Sequence, residues 1–206
     1  MRSSSRQERS KAEVVTDFRR RQILDAARTT FAKRGLREAT VSDIAREARV
    51  AKGTVYLYFQ SKDDILRHAL ESGIDGLREA TLPALGGHAA LDEQLTAFLR
   101  ATLTFFEQHR DFMDLCQHEL ATEIRRKARQ QFGQIYAAQI DAWERHLARR
   151  PRAASKGRPP ARHLACLIVS FTHGLALQRQ RGWTDATLDE DVAGATTLLL
   201  KGLGDQ

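Results

Sequence analysis

Apolar residues recur every three or four positions along most of the chain, the period of a helix with one face in a core. Phe18, Ile23, Leu24, Ala27, Phe31 and Ala32 form the first stripe, opening behind Thr16 or Asp17 and closing at Arg34-Gly35. Ile44, Ala45 and Ala48 form a second, short one behind Thr40-Val41-Ser42-Asp43, which has the Ser/Thr-x-x-acid form of a capping box. Val55 and Phe59 form a third over Lys52 to Phe59, across a turn at Arg49-Val50-Ala51. Ser61-Lys62-Asp63-Asp64 repeats the capping form and opens a helix to about Thr81, with Pro83 ending it. Beyond Gly86-Gly87, helices are expected from Leu91 to about Gln108, Arg110 to about His118, Leu120 to Arg149, Arg162 to about Arg181, and Leu188 to Leu203. The pattern predicts an all-α fold.

The stretch from Thr40 to Leu66 organises the rest. Two short helices and a tight turn make a helix-turn-helix, whose second helix enters the DNA major groove. Gly53 lets the backbone approach a duplex, and Lys52 and Lys62 carry charge for phosphates. Thr54 reaches a base edge or phosphate, while Tyr56 and Tyr58 offer hydroxyl donors to the backbone. Thr40, Ser42, Arg49 and Ala51 complete the expected DNA-binding set. The alternative is a compact helical turn with its tyrosines in a core.

The same residues resemble the DNA-binding motif of the tetracycline-repressor (TetR) family. The resemblance rests on Asp43-Ile44-Ala45, on Val50-Ala51-Lys52-Gly53-Thr54-Val55-Tyr56-Leu57-Tyr58-Phe59, and on Ser61-Lys62-Asp63-Asp64-Ile65-Leu66. It covers about fifty residues with the preceding helix, as helix-turn-helix units of this size do. It implies a three-helix DNA-binding head over 16–66 and an effector-binding, dimerising body over 67–206. The family usually has glycine in the turn where this chain has Arg49. If Arg49 sits at positive φ, it costs about 1 kcal/mol relative to glycine.

Charge sharpens this division. The formal net charge is +7, yet residues 1–65 hold 15 Lys/Arg against 9 Asp/Glu and residues 66–206 hold 18 against 17. A basic head on a nearly neutral body orients towards a polyanion. Residues 1–15 read as a disordered basic arm that either follows DNA or is a passive tail, and 149–162 as a mobile basic loop. Arg19, Arg20 and Arg21, at an expected helix start, oppose the helix dipole and suggest a nearby phosphate. Cys116 and Cys166 have no paired spacing and read as reduced thiols of a cytoplasmic protein. There is neither a membrane-length apolar run nor a signal-peptide core.

For chemistry, the chain lacks a phosphate-binding glycine loop, a nucleophile elbow and metal-ligand spacing. His109, Asp111, Asp114, Cys116, His118, Glu119 and Glu123 are dense, but helical geometry scatters them over several faces. No enzyme, metal or cofactor is therefore expected. The resemblance implies an effector pocket in the body, for which apolar walls with a few polar anchors are the general pattern. Its expected residues are Phe105, Phe106, His109, Phe112, Met113, Gln117, His118, Phe132, Tyr136, Gln139, Phe171 and His173. The last two helices are apolar on two faces and need two partners. The family pairs these helices in a dimer, here expected through Leu164, Ile168, Leu175, Val192, Ala195, Leu199 and Leu203. The whole implies a homodimeric repressor on a pseudo-palindromic DNA operator, released by a lipophilic small molecule. An activator, or a helical ligand carrier with a non-functional head, are the other readings.

Overall fold

A computed structural model describes residues 11–86, 89–111, 123–149 and 159–203. All regular structure among them is helical: α1 (Lys11–Glu38), α2 (Val41–Glu47), α3 (Lys52–Tyr56), α4 (Lys62–Thr81), α5 (Leu91–Gln108), α6 (Glu123–Ala148), α7 (Ala161–Gln180) and α8 (Leu188–Leu203), with a 3-10 turn at Pro83–Leu85. The chain divides into two compact units, Met1–Leu70 and Glu71–Gln206.

In the first unit, Ile23, Ala27, Phe31, Ile44, Ala45, Val55, Phe59, Ile65 and Leu66 close a small core. Thr40 caps α2 reciprocally: its hydroxyl accepts from Asp43 N–H at 3.1 Å, and the Asp43 carboxylate accepts from Thr40 N–H at 3.1 Å. The Thr40 hydroxyl, which lies 2.7 Å from the same carboxylate, holds the Asp43 carboxyl below the usual carboxylate range, helped by the Thr40 N–H and the neighbouring Arg34 and Arg46. At α4 the Ser61 hydroxyl accepts from Asp64 N–H at 3.1 Å, and the Asp64 carboxylate accepts from Gln60 N–H at 2.9 Å. Gly35, at φ 73°, ends the regular part of α1, and a last turn follows to Glu38.

Helix α1 starts at least five residues before the expected cap, so Lys11 to Val15 are helical rather than part of a disordered arm; residues 1–10 lie outside the described ones. Phe18 stands 63% exposed rather than buried, and Ala32 is exposed too. The arginine triplet is therefore mid-helix, and the dipole argument for a nearby phosphate lapses. Arg20 instead lies over the Phe59 ring at 4.9 Å and donates to Tyr58 O at 3.3 Å.

The turn after α2 has the bonds of a Schellman motif, Val50 N–H to Ala45 O at 2.9 Å and Arg49 N–H to Arg46 O at 3.1 Å. The residue between them must be left-handed, and Arg49 is, at φ 54°. It is the one non-glycine residue at positive φ among those described. Replacing Arg49 by Gly is expected to raise the head's stability by about 1 kcal/mol in urea titrations. An unchanged midpoint would mean the arginine gains a compensating contact.

In the second unit, Leu91, Leu95, Phe98, Trp143, Leu147, Leu164, Ala165, Ile168 and Val169 form one core from α5, α6 and α7. Phe98 and Trp143 meet edge to face at 5.6 Å. Gly76 lies against the Phe105 ring, where a Cβ would come within 3.2 Å, so close packing favours a residue without a side chain there. Arg179 ties three elements, donating to Glu107 of α5 at 2.9 Å, to Ala186 O at 2.9 Å, and to Asp191 of α8. Thr187 and Glu190 cap α8 reciprocally.

Candidate nucleic-acid interface and ligand-binding body

Helix α3 is shorter than the expected Lys52 to Phe59. After Tyr56 the bonds tighten to Leu57 N–H on Thr54 O at 3.2 Å and Tyr58 N–H on Val55 O at 3.0 Å, and the chain turns into α4. Val55 and Phe59 anchor it inward. Ala51, Lys52, Gly53 and Tyr56 face water, as do Thr40, Ser42 and Arg49 on the neighbouring turns; Thr54 and Tyr58 are half-buried. Tyr56 is 50% exposed, and nothing lies within 4 Å of where a Gly53 Cβ would stand. The result is an outward face carrying a cation and a tyrosine hydroxyl, with open backbone between them.

Two features of this face were not legible beforehand. Leu57, between the tyrosines, is 80% exposed and belongs to the same surface. Gln22 of α1 donates to Ala48 O at 2.8 Å, holding the end of α2 from behind. Lys62 is a correction. Its ammonium donates to Leu36 O at 2.8 Å, Ala39 O at 3.0 Å and Arg37 O at 3.2 Å, closing the carbonyl end of α1. All three of its donors are engaged within the protein, so it has none left for a phosphate.

In the second unit, five expected effector residues form a chain of aromatic contacts. His109 stacks on Phe105 at 4.3 Å, Phe105 meets Phe106 at 5.5 Å, Phe106 meets His173 at 5.6 Å, and Tyr136 lies over His173 at 4.3 Å. Gln139 joins them from α6, accepting from His173 Nε2 at 3.1 Å and donating to Thr81 Oγ1 at 2.8 Å. Thr81 in turn donates to Leu77 O. Burial pushes the His173 imidazole down to about 4 and the Tyr136 phenol up to about 12, so both are neutral near pH 7.

Phe171 does not join this group; it is exposed on the far side of α7. Phe132 is half-buried on α6, and Phe112, Met113, Gln117 and His118 lie outside the described residues. No cluster of three metal-ligating side chains occurs among the described residues, and none of their helices is long and apolar enough to cross a membrane.

The expected dimer stripe is also corrected. Leu164, Ile168, Val192 and Ala195 are buried within the unit's own core, and Leu175 and Leu199 are half-buried. The Leu203 side chain is outside those described. The face left open carries Leu167, Phe171 and Gly174 on α7 and Gly194, Leu198 and Gly202 on α8. These follow i, i+4, i+7 and i, i+4, i+8 spacing, so each set forms one stripe. An apolar two-faced helix hides the phase of its own core, which is why the pattern took four core residues for outward ones.

An exposed helix-turn-helix on an all-helical chain defines a DNA-binding regulator of transcription. The model for bacterial regulatory proteins of the tetR family matches residues 23–69, the span of α1 to α4 that builds this face. The chain is 31% identical over 174 residues to the transcriptional regulator HbdR of Aromatoleum sp. strain CIB, covering 80% of this chain and 74% of that protein. It is 36% identical over 109 residues to the transcriptional repressor KstR2 of Rhodococcus jostii, covering 51% of this chain and 53% of that protein. The chain belongs to the TetR family, although it spans only about half the length of several of the curated relatives it matches. The fold is similar to that of the transcriptional regulator FadR from Bacillus subtilis, solved in complex with stearoyl-CoA, with a TM-score of 0.68 at 23% identity over 88% of this chain and 98% of that one.

Proposed function

We propose that this protein is a homodimeric repressor that binds a pseudo-palindromic operator and leaves it when residues 71–206 take up a small lipophilic effector. The observation carrying this reading is the outward face of α3, with Lys52 and Tyr56 exposed around an open Gly53. Lys52 and the tyrosine hydroxyls contact phosphates, while Thr54 and Leu57 meet base edges. Arg49 lies at the rim of the same face. The role is binding in the cytoplasm, without catalysis.

Effector binding is assigned to the aromatic chain from His109 to Tyr136, with neutral His173 and Gln139 as its polar anchors. HbdR and KstR2 are named as a regulator and a repressor, and FadR was solved with an acyl-CoA; these support the ligand-responsive reading by analogy. Effector and operator weaken each other equally, typically 5–150-fold. A DNA fragment selected from a random library should be retarded in a gel and released by the effector. Persistent failure to select any DNA at low salt would favour the ligand-carrier reading.

The dimer is assigned to the open face of α7 and α8. Glycines 174, 194 and 202 there admit close helix approach, and Leu167, Phe171 and Leu198 supply the apolar area. Phe171→Glu with Leu198→Glu should give folded monomers in sedimentation. Dimers that persist would move the interface elsewhere. Glutamate at Ile168 or Val192 should instead unfold the body, because both sit in its core.

A further inference from the structure

Leu57 is the most exposed large apolar side chain among the described residues, at 80%. It closes α3 with helical angles, φ −71° and ψ −22°. At about 100° per residue, it points about 180° away from the midline between Val55 and Phe59, the two residues that anchor α3 inward. Gly53 and Thr54 fall within about 60° of the same outward line. The phase is fixed from behind. Val55 and Phe59 are buried, Arg20 lies over the Phe59 ring at 4.9 Å, and the same arginine donates to Tyr58 O at 3.3 Å. Leu57 N–H is itself committed to Thr54 O at 3.2 Å. Turning the leucine inward would unseat all of these contacts.

The chemistry of the position narrows what it can touch. A leucine side chain neither donates nor accepts a hydrogen bond, so a phosphate oxygen gains nothing from it. A protein partner is no better match, because such interfaces take about 20–30 residues a side. In the major groove only one base presents an apolar group, the C5 methyl of thymine. Lys52 and the hydroxyls of Thr54 and Tyr56 stand on the same short helix and suit the sugar-phosphate backbone. Gly53, with nothing within 4 Å of where a Cβ would stand, lets the helix backbone approach the duplex. Leu57 lies one turn further on and is long enough to reach the groove floor from there.

We propose that Leu57 is a specificity-determining residue that reads the C5 methyl of one thymine in each half of the operator. This rests on the reading of α3 as the helix that meets base edges, and it names the base feature that one side chain recognises. Burying the methyl against the leucine removes two exposed apolar groups from water at once. Neither a cytosine nor a purine at that place offers the same contact.

The test uses the full chain and a duplex selected from a random library, with affinities from fluorescence anisotropy at one fixed salt concentration. Each thymine of the half-site is replaced in turn by deoxyuridine, which removes the C5 methyl and leaves the base pair and its hydrogen-bonding groups as they were. One position should weaken wild-type binding about three- to fourfold per half-site, and about tenfold when both halves are changed. Leu57→Ala should bind the thymine and uracil duplexes within about 1.5-fold of each other at that position. Its melting temperature should match the wild type, since the side chain is exposed. A half-site without thymine, no sensitive position, or a uracil penalty undiminished in Leu57→Ala would overturn the assignment while DNA binding stands. A leucine wedged into the minor groove would give the second of these results, because the methyl lies in the major groove. If the wild type selects no duplex at low salt, the DNA-binding reading falls and this inference with it.

Discussion

Acidification from pH 7 to pH 4 is expected to destabilise residues 71–206 by about 3 kcal/mol through His173 alone. Its imidazole is buried between the Tyr136 and Phe106 rings, and burial disfavours the charged form, lowering its pKa to about 4. In the unfolded chain the same group titrates near 6.5. Between those values the unfolded state binds a proton that the folded state refuses. Stability is therefore full above the unfolded value and falls as pH drops, levelling off below the folded one. At 1.36 kcal/mol per pH unit, roughly 2 kcal/mol is lost by pH 5. Gln139 does not rescue the cation, because its oxygen already accepts from Nε2 and its nitrogen serves Thr81. Both tryptophans, Trp143 and Trp183, lie in this unit, so urea titrations followed by tryptophan fluorescence report on it selectively. His173→Gln should remove this component of the pH dependence. A wild type and variant that lose stability in parallel from pH 7 to pH 4 would show that His173 protonates in place.

Helix boundaries were legible where a residue has a local reason to stop or start a helix. Thr40 with Asp43, Ser61 with Asp64, Gly35 and Pro83 each act within a few residues of themselves, and α2 starts, and α4 starts and ends, within a residue or two of where those signals put them. The outward set on α3 was legible for a similar reason, since Val55 and Phe59 fix which way a single turn must face.

Long-range partners were not legible. Lys62 reads as one more cation of a basic head, and the carbonyls that hold it lie 23 to 26 residues earlier in the chain. Gln139 reads as a polar position on a long helix, yet it joins Thr81, 58 residues away, to His173, 34 residues away. The inward phase of α7 was hidden for a different reason: Leu164 and Leu167 are equally apolar, and only the packing of α7 on α5 and α6 decides which one is inside.

Replacing Lys62 by Met should cost the head about 3 kcal/mol, although methionine keeps the length and apolar stem of the side chain. Three hydrogen bonds from one ammonium close the last turn of α1, where carbonyls lack intrahelical donors and the helix dipole favours a cation. Hydrogen bonds from charged groups contribute about 1.5–3 kcal/mol each to a buried pair, less when, as here, the side chain is half-exposed. A unit of this size has roughly 3–9 kcal/mol in total, so the loss would leave much of it unfolded near physiological temperature. Far-UV circular dichroism in urea, or hydrogen exchange at the amides of α1 to α3, reads the change. Lys52 supplies the contrast, because it stands exposed at the start of α3. Lys52→Ala should leave the head's stability within about 0.5 kcal/mol of wild type. It should nevertheless reduce the salt dependence of operator binding by about 0.9 in log K per log salt for each lost phosphate contact in each subunit. Lys62→Met, assayed below its unfolding temperature, should leave that slope unchanged. The opposite pattern, a flatter slope for Lys62→Met and a stable fold, would return Lys62 to the DNA surface and leave the end of α1 capped by something else.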